Sequence, residues 1–193
     1  MPLPEIETER LRLVIAQPGL EEPLALFYRD NFDGHLDRWS PPMAEDKRGT
    51  AYWEKFLPAA AGEYAAGTAA RWVALARDAA RPEVVATCNY TQIARGPFRA
   101  CVLGYQVARR HEGKGLMFEA LSATLEHAFR ELRLHRVMAN YRPENARSAR
   151  LLDRLGFVRE GYARDYLFID GAWRDHFLTS RTNPWFDAAW MRD

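Results

Sequence analysis

Short runs of alternating apolar and polar residues recur along the first part of the chain, and such alternation is typical of half-buried strands. The pattern predicts strands over residues 11–15, 71–77, 84–91 and 100–108. Turn residues at 78–82 and 96–97 separate the last three strands, so we expect them to form an antiparallel meander.

Helical spacing replaces this alternation at two places. After Pro18, which suits a first helical turn, apolar residues recur at the helical interval: Leu20, Leu24 and Phe27. A second helix is predicted from about residue 44 to residue 66. The segment 31–42 between the two helices has no period and contains aromatic residues and prolines, so we expect an irregular loop there.

The order of elements changes after residue 108. An amphipathic helix is predicted over 114–132, because Met117, Leu121 and Leu125 fall on one face. It is followed by a strand over 136–141, a helix over 145–155, and two strands over 157–169 and 173–180. Gly156 is a typical helix end, and Asp170-Gly171 is a strong hairpin signal.

A long helix joins the strand at 100–108 to the strand at 136–141, and such a crossover connects parallel strands. The sequence therefore predicts one domain of the α+β class over residues 1–193. We expect a mixed, mostly antiparallel sheet, flanked by helices, with a parallel pair of strands at its centre.

Composition narrows the classes of function. The chain of 193 residues is 48% hydrophobic, which suits one globular domain, and it has no run of about 18 apolar residues that could span a membrane. A formal net charge of +1 argues against a nucleic-acid partner held by bulk charge. No secretory signal is visible at the N-terminus. We therefore expect a cytoplasmic protein in which Cys88 and Cys101 are buried, reduced thiols.

The segment Arg110-His111-Glu112-Gly113-Lys114-Gly115 lies where a predicted strand ends and a predicted helix begins. The first turn of a helix has N–H groups without intrahelical partners and carries partial positive charge, and glycines let an anion approach the backbone closely. Backbone N–H groups from Gly113 to Phe118 could hold a pyrophosphate, with added charge from Arg110 and Lys114. The segment lacks the ending of an ATP-type loop and the third glycine of a dinucleotide fingerprint. By itself it is also consistent with a tight turn that binds nothing.

A second segment, Pro143-Glu144-Asn145-Ala146-Arg147-Ser148, opens the next predicted helix. Asn145 suits the N-cap position, but its amide could equally bond an amide-rich ligand arm. Ser148 lies one turn further along, near the same opening. Two helix starts would then flank the place where the parallel strands could separate.

These two segments, with Gly156-Phe157 after them, resemble the motifs of the GNAT superfamily of acyl-CoA N-acyltransferases. The opening Thr8-Glu9-Arg10-Leu11-Arg12-Leu13 resembles the ribosomal-protein N-acetyltransferase branch of that superfamily. The segments 113–121, 138–141 and 169–176 resemble its RimJ type, which acetylates the N-terminal alanine of a small-subunit ribosomal protein. The resemblance implies acetyl-CoA as cosubstrate, no metal, and a central parallel strand pair that is splayed around the acyl-CoA.

The resemblance also implies catalytic roles. A backbone N–H, which we map to Val107, should bond the thioester carbonyl. Leu152 stands where many members carry a tyrosine acid, and Val102 stands where some relatives carry a glutamate, so those two roles do not carry over. Ser148 is the remaining hydroxyl that could protonate the thiolate, or it could only hold the pantetheine or the helix start. The residues predicted to contact acetyl-CoA are Val107, Arg110, Gly113, Lys114, Gly115, Leu116, Met117, Phe118, Asn145 and Ser148.

The sequence offers candidates for the base that takes the amine proton, without selecting one of them. An N-terminal amine has an ordinary pKa of about 7.7–8.0, so a modest base is enough. Glu160 and Asp165 lie on the strand after the second of these helices, close to where the acceptor should enter, although each could be a solvated or salt-bridged carboxylate. The residues predicted to line the acceptor site are His35, Trp39, Asn89 and Asn140; the first two could equally form a buried aromatic plug.

Three functions stay open from the sequence. The first is acetylation of a protein N-terminus, most specifically the alanine of a ribosomal protein. The second is acetylation of a small amine such as an antibiotic or an aminoacyl conjugate, and the third is a CoA-binding module without catalysis. The predicted partners are acetyl-CoA and one of these amines, without nucleic acid or membrane, for a monomer or homodimer.

Overall fold

In the computed structural model, which describes residues 3–42 and 45–192, one eight-stranded sheet runs through the molecule. Its strands are β1 (Glu5–Glu7), β2 (Leu11–Ile15), β3 (Ala70–Ala76), β4 (Val84–Ala94), β5 (Ala100–Val107), β6 (Arg136–Met138), β7 (Val158–Ile169) and β8 (Ala172–Thr182). The α-helices among these residues are α1 (Glu21–Asn31), α2 (Thr50–Ala65), α3 (Leu116–Arg130) and α4 (Ala146–Arg154). Short 3₁₀ turns lie at Glu45–Arg48, Arg109–His111 and Ala188–Arg192.

The strand order is β1-β2-β3-β4-β5-β6-β8-β7. Only β5 and β6 pair in parallel, and α3 makes the crossover between them. This arrangement confirms the predicted α+β class and the parallel pair at the centre of the sheet. The parallel pairing runs only from Ala100↔Arg136 to Val102↔Met138. Beyond Val102 the two strands separate, and the remaining half of β5 has one edge without a strand partner.

β4 and β8 extend past their predicted ends, to Ala94 and Thr182, and two other strands differ more from the prediction. β1 was not predicted, because a strand of three residues is too short to show alternation. The strand predicted over 136–141 ends at Met138, and Tyr141 rejoins the sheet only as an isolated bridge to Phe177. The chain therefore leaves the sheet just after the parallel pair, which widens the gap between β5 and β6.

The region before α2 is also more structured than predicted. The helix predicted from residue 44 begins at Thr50, because a 3₁₀ turn at Glu45–Arg48 and an extended Gly49 come before it; residue 44 itself lies outside the described residues. The segment 31–42 contains a π-helical turn at Phe32–Leu36. That turn is kinked by Gly34, whose φ of +66° is the left-handed conformation that favours glycine.

Helices cover both faces of the sheet. Side chains alternate between the faces along each strand, so Leu13 and Trp72 join the apolar cluster beneath α3 and α4. Val14 and Val73 join the cluster beneath α1 and α2. The sheet therefore has a packed core on each side.

The two cysteines lie in this core. Cys88 and Cys101 are buried, as predicted, and burial raises the pKa of each thiol to about 12. Both thiols therefore stay protonated at neutral pH. Every helix within residues 3–42 and 45–192 is too short or too polar to cross a membrane.

Candidate active site

A cleft of about 1070 Å³ opens where β5 and β6 separate. Its floor is the free half of β5, from Leu103 to Val107. Its walls come from the loop 32–42, the segment 111–118, the start of α4 and the β7–β8 hairpin. The two motif-bearing segments of the sequence therefore meet at one cavity.

The free edge of β5 turns backbone groups toward this cleft. Ala108 N–H donates to the carbonyl of Val85 on β4 at 2.9 Å, and backbone groups alternate in direction along a strand. The N–H and carbonyl of Val107 therefore point away from β4 and into the cleft. The His35 ring donates through Nε2–H to the Val107 carbonyl at 3.0 Å. The Val107 N–H keeps the direction that a donor to a thioester carbonyl needs.

The segment 113–118 contains the N-terminus of α3, which no side chain caps. Gly113 and Gly115 have φ values of +72° and +77°, the left-handed region that favours glycine. Gly115 is the N-cap of α3 and makes no side-chain cap. The N–H groups of residues 116–118 donate to no described residue. Three backbone donors and the positive end of the helix dipole therefore face the cleft.

Arg110 and Lys114 are not among the residues that line the cleft. Arg110 forms an ion pair with Glu83 at 2.9 Å. Lys114 contributes its carbonyl, which accepts from Arg10 at 2.9 Å. Arg10 also forms an ion pair with Glu119 on α3 at 2.6 Å. Arg10 therefore holds the N-terminus of α3 through contacts that lie outside the cleft. Direct contacts of Arg110 and Lys114 with acetyl-CoA stay predictions.

Arginines on α4 bring positive charge to this end of the cleft: Arg147, Arg150 and Arg154. The Arg154 guanidinium lies over the Phe118 ring, 4.3 Å from its centre, and Arg147 forms an ion pair with Glu112. These arginines were not predicted from the sequence. Their helical spacing, which places them on one face of α4, was the available signal.

Two hydroxyl groups meet at the buried end of the cleft. Asn145 caps α4, since its side chain accepts from Ser148 N–H at 3.0 Å, which confirms the N-cap interpretation. The hydroxyls of Ser148 and Tyr105 hydrogen-bond each other. Burial raises the pKa of Tyr105, so this phenol keeps its proton. Leu152 is buried one turn further along, and this pair of hydroxyls is what the cleft offers in place of the tyrosine acid common in the family.

Tyr105 was not predicted as a site residue. It lies on β5 and meets Ser148 only through the fold, because 43 positions of sequence separate the two residues. The Gly104-Tyr105 pair on the central strand was the only local signal.

Trp39 lines the cleft from the loop 32–42 in a fixed position. The guanidinium carbons of Arg38 and Arg142 lie 4.8 and 5.4 Å from its ring centre. Arg142 also donates to the carbonyl of Arg38 at 2.6 Å. The loop is thus tied to the segment that follows β6, across the mouth of the cleft.

The two asparagines line the cleft with different partners. Asn89 lies opposite Gly104 on β5, and its side chain bonds to no other described residue. Asn140 accepts from the N–H of Thr179 at 3.1 Å and donates to the hydroxyl of Tyr166 at 2.9 Å. Asn140 therefore orients Tyr166, whose own O–H hydrogen stays free for an acceptor. Tyr166 was not predicted, because the register of β7 and not its local sequence brings it to the cleft.

The two candidate bases lie outside the cleft lining. Glu160 forms an ion pair with Arg136, and the hydrogen bond from that guanidinium lowers its pKa. Asp165 has a φ of +46° and donates its N–H to the carboxylate of Asp175 at 2.9 Å. A base role for either residue stays a prediction that this geometry does not favour.

Comparison with known proteins defines the class. The family model described as an acetyltransferase (GNAT) domain matches residues 12–158. The chain therefore belongs to the GNAT acetyltransferase family, as the two motif segments predicted.

Individual relatives narrow the comparison. The [ribosomal protein uS5]-alanine N-acetyltransferase of Escherichia coli (strain K12) is 40% identical over 184 residues, which cover 95% of this chain and 93% of that protein. The ribosomal-protein-S5-alanine acetyltransferase from Vibrio fischeri matches with a TM-score of 0.90 and 32% identity, over 95% of this chain and 99% of that one. Mycobacterium smegmatis RimJ, solved in complex with CoA-disulfide, matches with a TM-score of 0.79 and 29% identity, over 89% of this chain and 81% of that one. The RimJ-type resemblance predicted from the sequence is thereby confirmed.

Proposed function

We propose that this enzyme transfers the acetyl group of acetyl-CoA to a protein N-terminus, with the N-terminal alanine of ribosomal protein uS5 as its acceptor. One observation supports the proposal that the protein catalyses acetyl transfer. The gap between β5 and β6 presents the N–H of Val107 for a thioester carbonyl and a bare helix start for a pyrophosphate. The acceptor is proposed from the Escherichia coli relative, whose name gives the alanine of uS5 and whose likeness covers 95% of this chain.

Acetyl-CoA would lie along the free edge of β5. Its pyrophosphate fits the start of α3, where three N–H groups lack partners and the helix dipole favours an anion. The arginines of α4 add charge on that side. Asn145 keeps its amide N–H₂ free of described partners after capping α4, so it can donate to the pantetheine arm.

The chemistry needs few side chains. A neutral amine attacks the thioester carbon, and the negative charge that forms on the carbonyl oxygen would be met by the N–H of Val107. A fixed donor of this kind is typically worth about 3–4 kcal/mol. The C–S bond then breaks, and Ser148 would protonate the departing thiolate. Tyr105, which is hydrogen-bonded to Ser148 and protonated, can return a proton to it.

The acceptor would enter on the side of the cleft opposite the phosphate-binding end. His35 and Trp39 line the cleft from one loop, and Asn89 and Tyr166 line it from the sheet, and we assign the acceptor to these four residues. The free amide of Asn89 and the O–H of Tyr166 suit the backbone groups of a short extended peptide. A cytoplasmic location, and a monomeric or homodimeric state, belong to this proposal as predictions.

A peptide assay tests the proposal. The enzyme is mixed with acetyl-CoA and a short peptide that carries the N-terminal sequence of uS5 from the same organism, and both CoA release and peptide mass are measured. The matched control is the same peptide with a blocked N-terminus and an internal lysine. We expect one acetyl group on the first peptide and none on the control. Release with small amines but not with the peptide contradicts the acceptor, and tight CoA binding without release to any amine contradicts the enzyme.

A further inference from the structure

One histidine in the cleft has no part in the chemistry described so far. His176 lies on β8, where the residue is only 4% exposed, and it is one of the residues that line the cleft. It faces Tyr166 across the β7–β8 hairpin, with 5.1 Å between the ring centres. It therefore belongs to the side of the cleft where the acceptor would enter.

The hydrogen bonding of His176 fixes its tautomer. Nδ1 lies 2.9 Å from the carbonyl oxygen of Arg174. A carbonyl can only accept, so Nδ1 carries the hydrogen, and Nε2 of the neutral ring holds a lone pair. Among the described residues none bonds to Nε2. The ring is thus held by one nitrogen and open at the other.

Charged and titratable groups approach this ring from four elements. Burial is the largest effect and lowers the pKa of His176. The hydrogen bond from Nδ1–H to the Arg174 carbonyl opposes this effect and raises the pKa. Arg142, from the segment after β6, lowers it further, while Asp175 on β8 and Glu144 before α4 raise it. Tyr166 on β7 contacts the ring face. The ring is therefore neutral near pH 7, which is the state in which it can accept a proton.

We propose that His176 is the general base of the reaction and that Nε2 takes the proton of the acceptor amine. This inference rests on the proposed function. As the amine nitrogen bonds to the thioester carbon, its extra proton passes to Nε2. The C–S bond breaks, Ser148 protonates the thiolate, and the imidazolium of His176 returns its proton through solvent to the Tyr105–Ser148 pair, so that all three groups regain their starting states. The products are the amide and CoA thiol, and an acceptor that starts as an ammonium releases one further proton to solvent before the attack.

The other candidates are less well placed. Glu160 is held in an ion pair with Arg136 and does not line the cleft. His35 lines the cleft, but its Nε2–H is bound to Val107, and the residue lies on a loop. A strand holds a catalytic group more rigidly than a loop does. His35 is nevertheless the direct rival, because its Nδ1 bonds to no described residue.

The test compares variants of the two histidines in the full chain. His176→Gln is expected to lower kcat about 100-fold or more, the usual contribution of a general base, with acetyl-CoA affinity within about twofold of wild type. The wild-type kcat should fall below a pKa that lies under the ordinary histidine value of about 6.5, and this acidic limb should vanish in the variant. Imidazole should partly restore His176→Ala. His135→Gln is the matched control, because His135 lies outside the cleft and packs on Phe186.

Several results would overturn the proposal. One is a kcat of His176→Gln within about threefold of wild type. Another is a pH profile whose acidic limb persists in His176→Gln and disappears in His35→Gln. If the variant fails to fold, ¹⁵N NMR of the wild-type ring decides: its titration must coincide with the acidic limb of kcat, and a mismatch refutes the role. Failure of the proposed acceptor can be told apart from failure of the His176 role. In the first case the wild-type enzyme acetylates another amine and not the uS5 peptide, and the His176 and His35 variants are then compared with that amine.

Discussion

Glu119 fastens the start of α3 to the N-terminal segment of the chain. Its Oε1 accepts from the Thr8 hydroxyl at 2.6 Å and from the Arg10 N–H at 2.8 Å. Its Oε2 accepts from Arg10 Nε at 2.7 Å. Burial raises the pKa of this carboxyl, but the bonds from Thr8 and Arg10 outweigh burial and lower it overall. Since Arg10 also bonds the carbonyl of Lys114, replacing Glu119 should reach the phosphate-binding end of the cleft.

The size of the effect follows from these bonds. In Glu119→Gln the amide oxygen can keep Thr8 and the Arg10 N–H, but the amide N–H₂ faces the guanidinium, where two donors meet. A hydrogen bond to a charged group contributes about 1.5–3 kcal/mol, and Arg10 is 45% exposed, which weakens the pair. We expect a loss of about 2 kcal/mol in the free energy of unfolding. Acetyl-CoA should bind about fivefold to tenfold more weakly, or about 1 kcal/mol, because Lys114 loses its anchor.

Urea unfolding and calorimetric titration with acetyl-CoA measure the two effects. The matched control is Glu5→Gln, which removes an exposed ion pair with Arg12 on the neighbouring strand. An exposed pair contributes about 0.2–1 kcal/mol, so the control should change stability little and leave affinity unchanged. Equal stability loss in both variants, or a Glu119→Gln protein with wild-type affinity, would refute the fastening role.

Three further outcomes are expected. Ser148→Ala should lower kcat about tenfold or more while acetyl-CoA affinity changes little; a change in affinity alone would make Ser148 a binding residue. Gly115→Glu should abolish acetyl-CoA binding in calorimetry, because its carboxylate would occupy the pyrophosphate site and repel the phosphates. Gly96→Glu is the control, since it places the same side chain at a similar φ (+62° against +77°) in a distant turn, and it should bind acetyl-CoA as wild type does. Burial lowers the pKa of His127 and His176 in the folded state, so the unfolded chain binds more protons below pH ~6.5 and stability should fall on acidification, by up to about 1.4 kcal/mol per pH unit for each group. Urea unfolding between pH 7 and 5 checks this, and a slope in His127→Gln as steep as in wild type would contradict it.

The elements of the fold were largely predictable because their signals are local. The alternation around Val14 and Val73 and the helical spacing around Leu121 fix strands and helices within a few residues. The crossover from β5 to β6 fixes the parallel pair, and Asn145 marks the start of α4. Each of these signals depends on neighbours that are close in sequence, so no tertiary contact is needed to interpret it.

The side chains of the site were harder to predict because their partners are far away in sequence. Arg110 looks like a phosphate ligand in the motif, yet it pairs with Glu83 on the approach to β4. Tyr105 becomes a site residue only through Ser148, and His176 only through the register of the β7–β8 hairpin. Spacing along the chain predicts where the backbone N–H groups of a binding site lie. The direction of each side chain depends on sheet pairing, which spacing does not show.

The intact mass of ribosomal proteins shows directly whether the N-terminal alanine of uS5 is the acceptor, as we propose. Ribosomes are purified from the organism with and without the gene for this chain. We expect uS5 to lose the mass of one acetyl group when the gene is absent and to regain it when the gene is restored. An identical uS5 mass in both strains would contradict it.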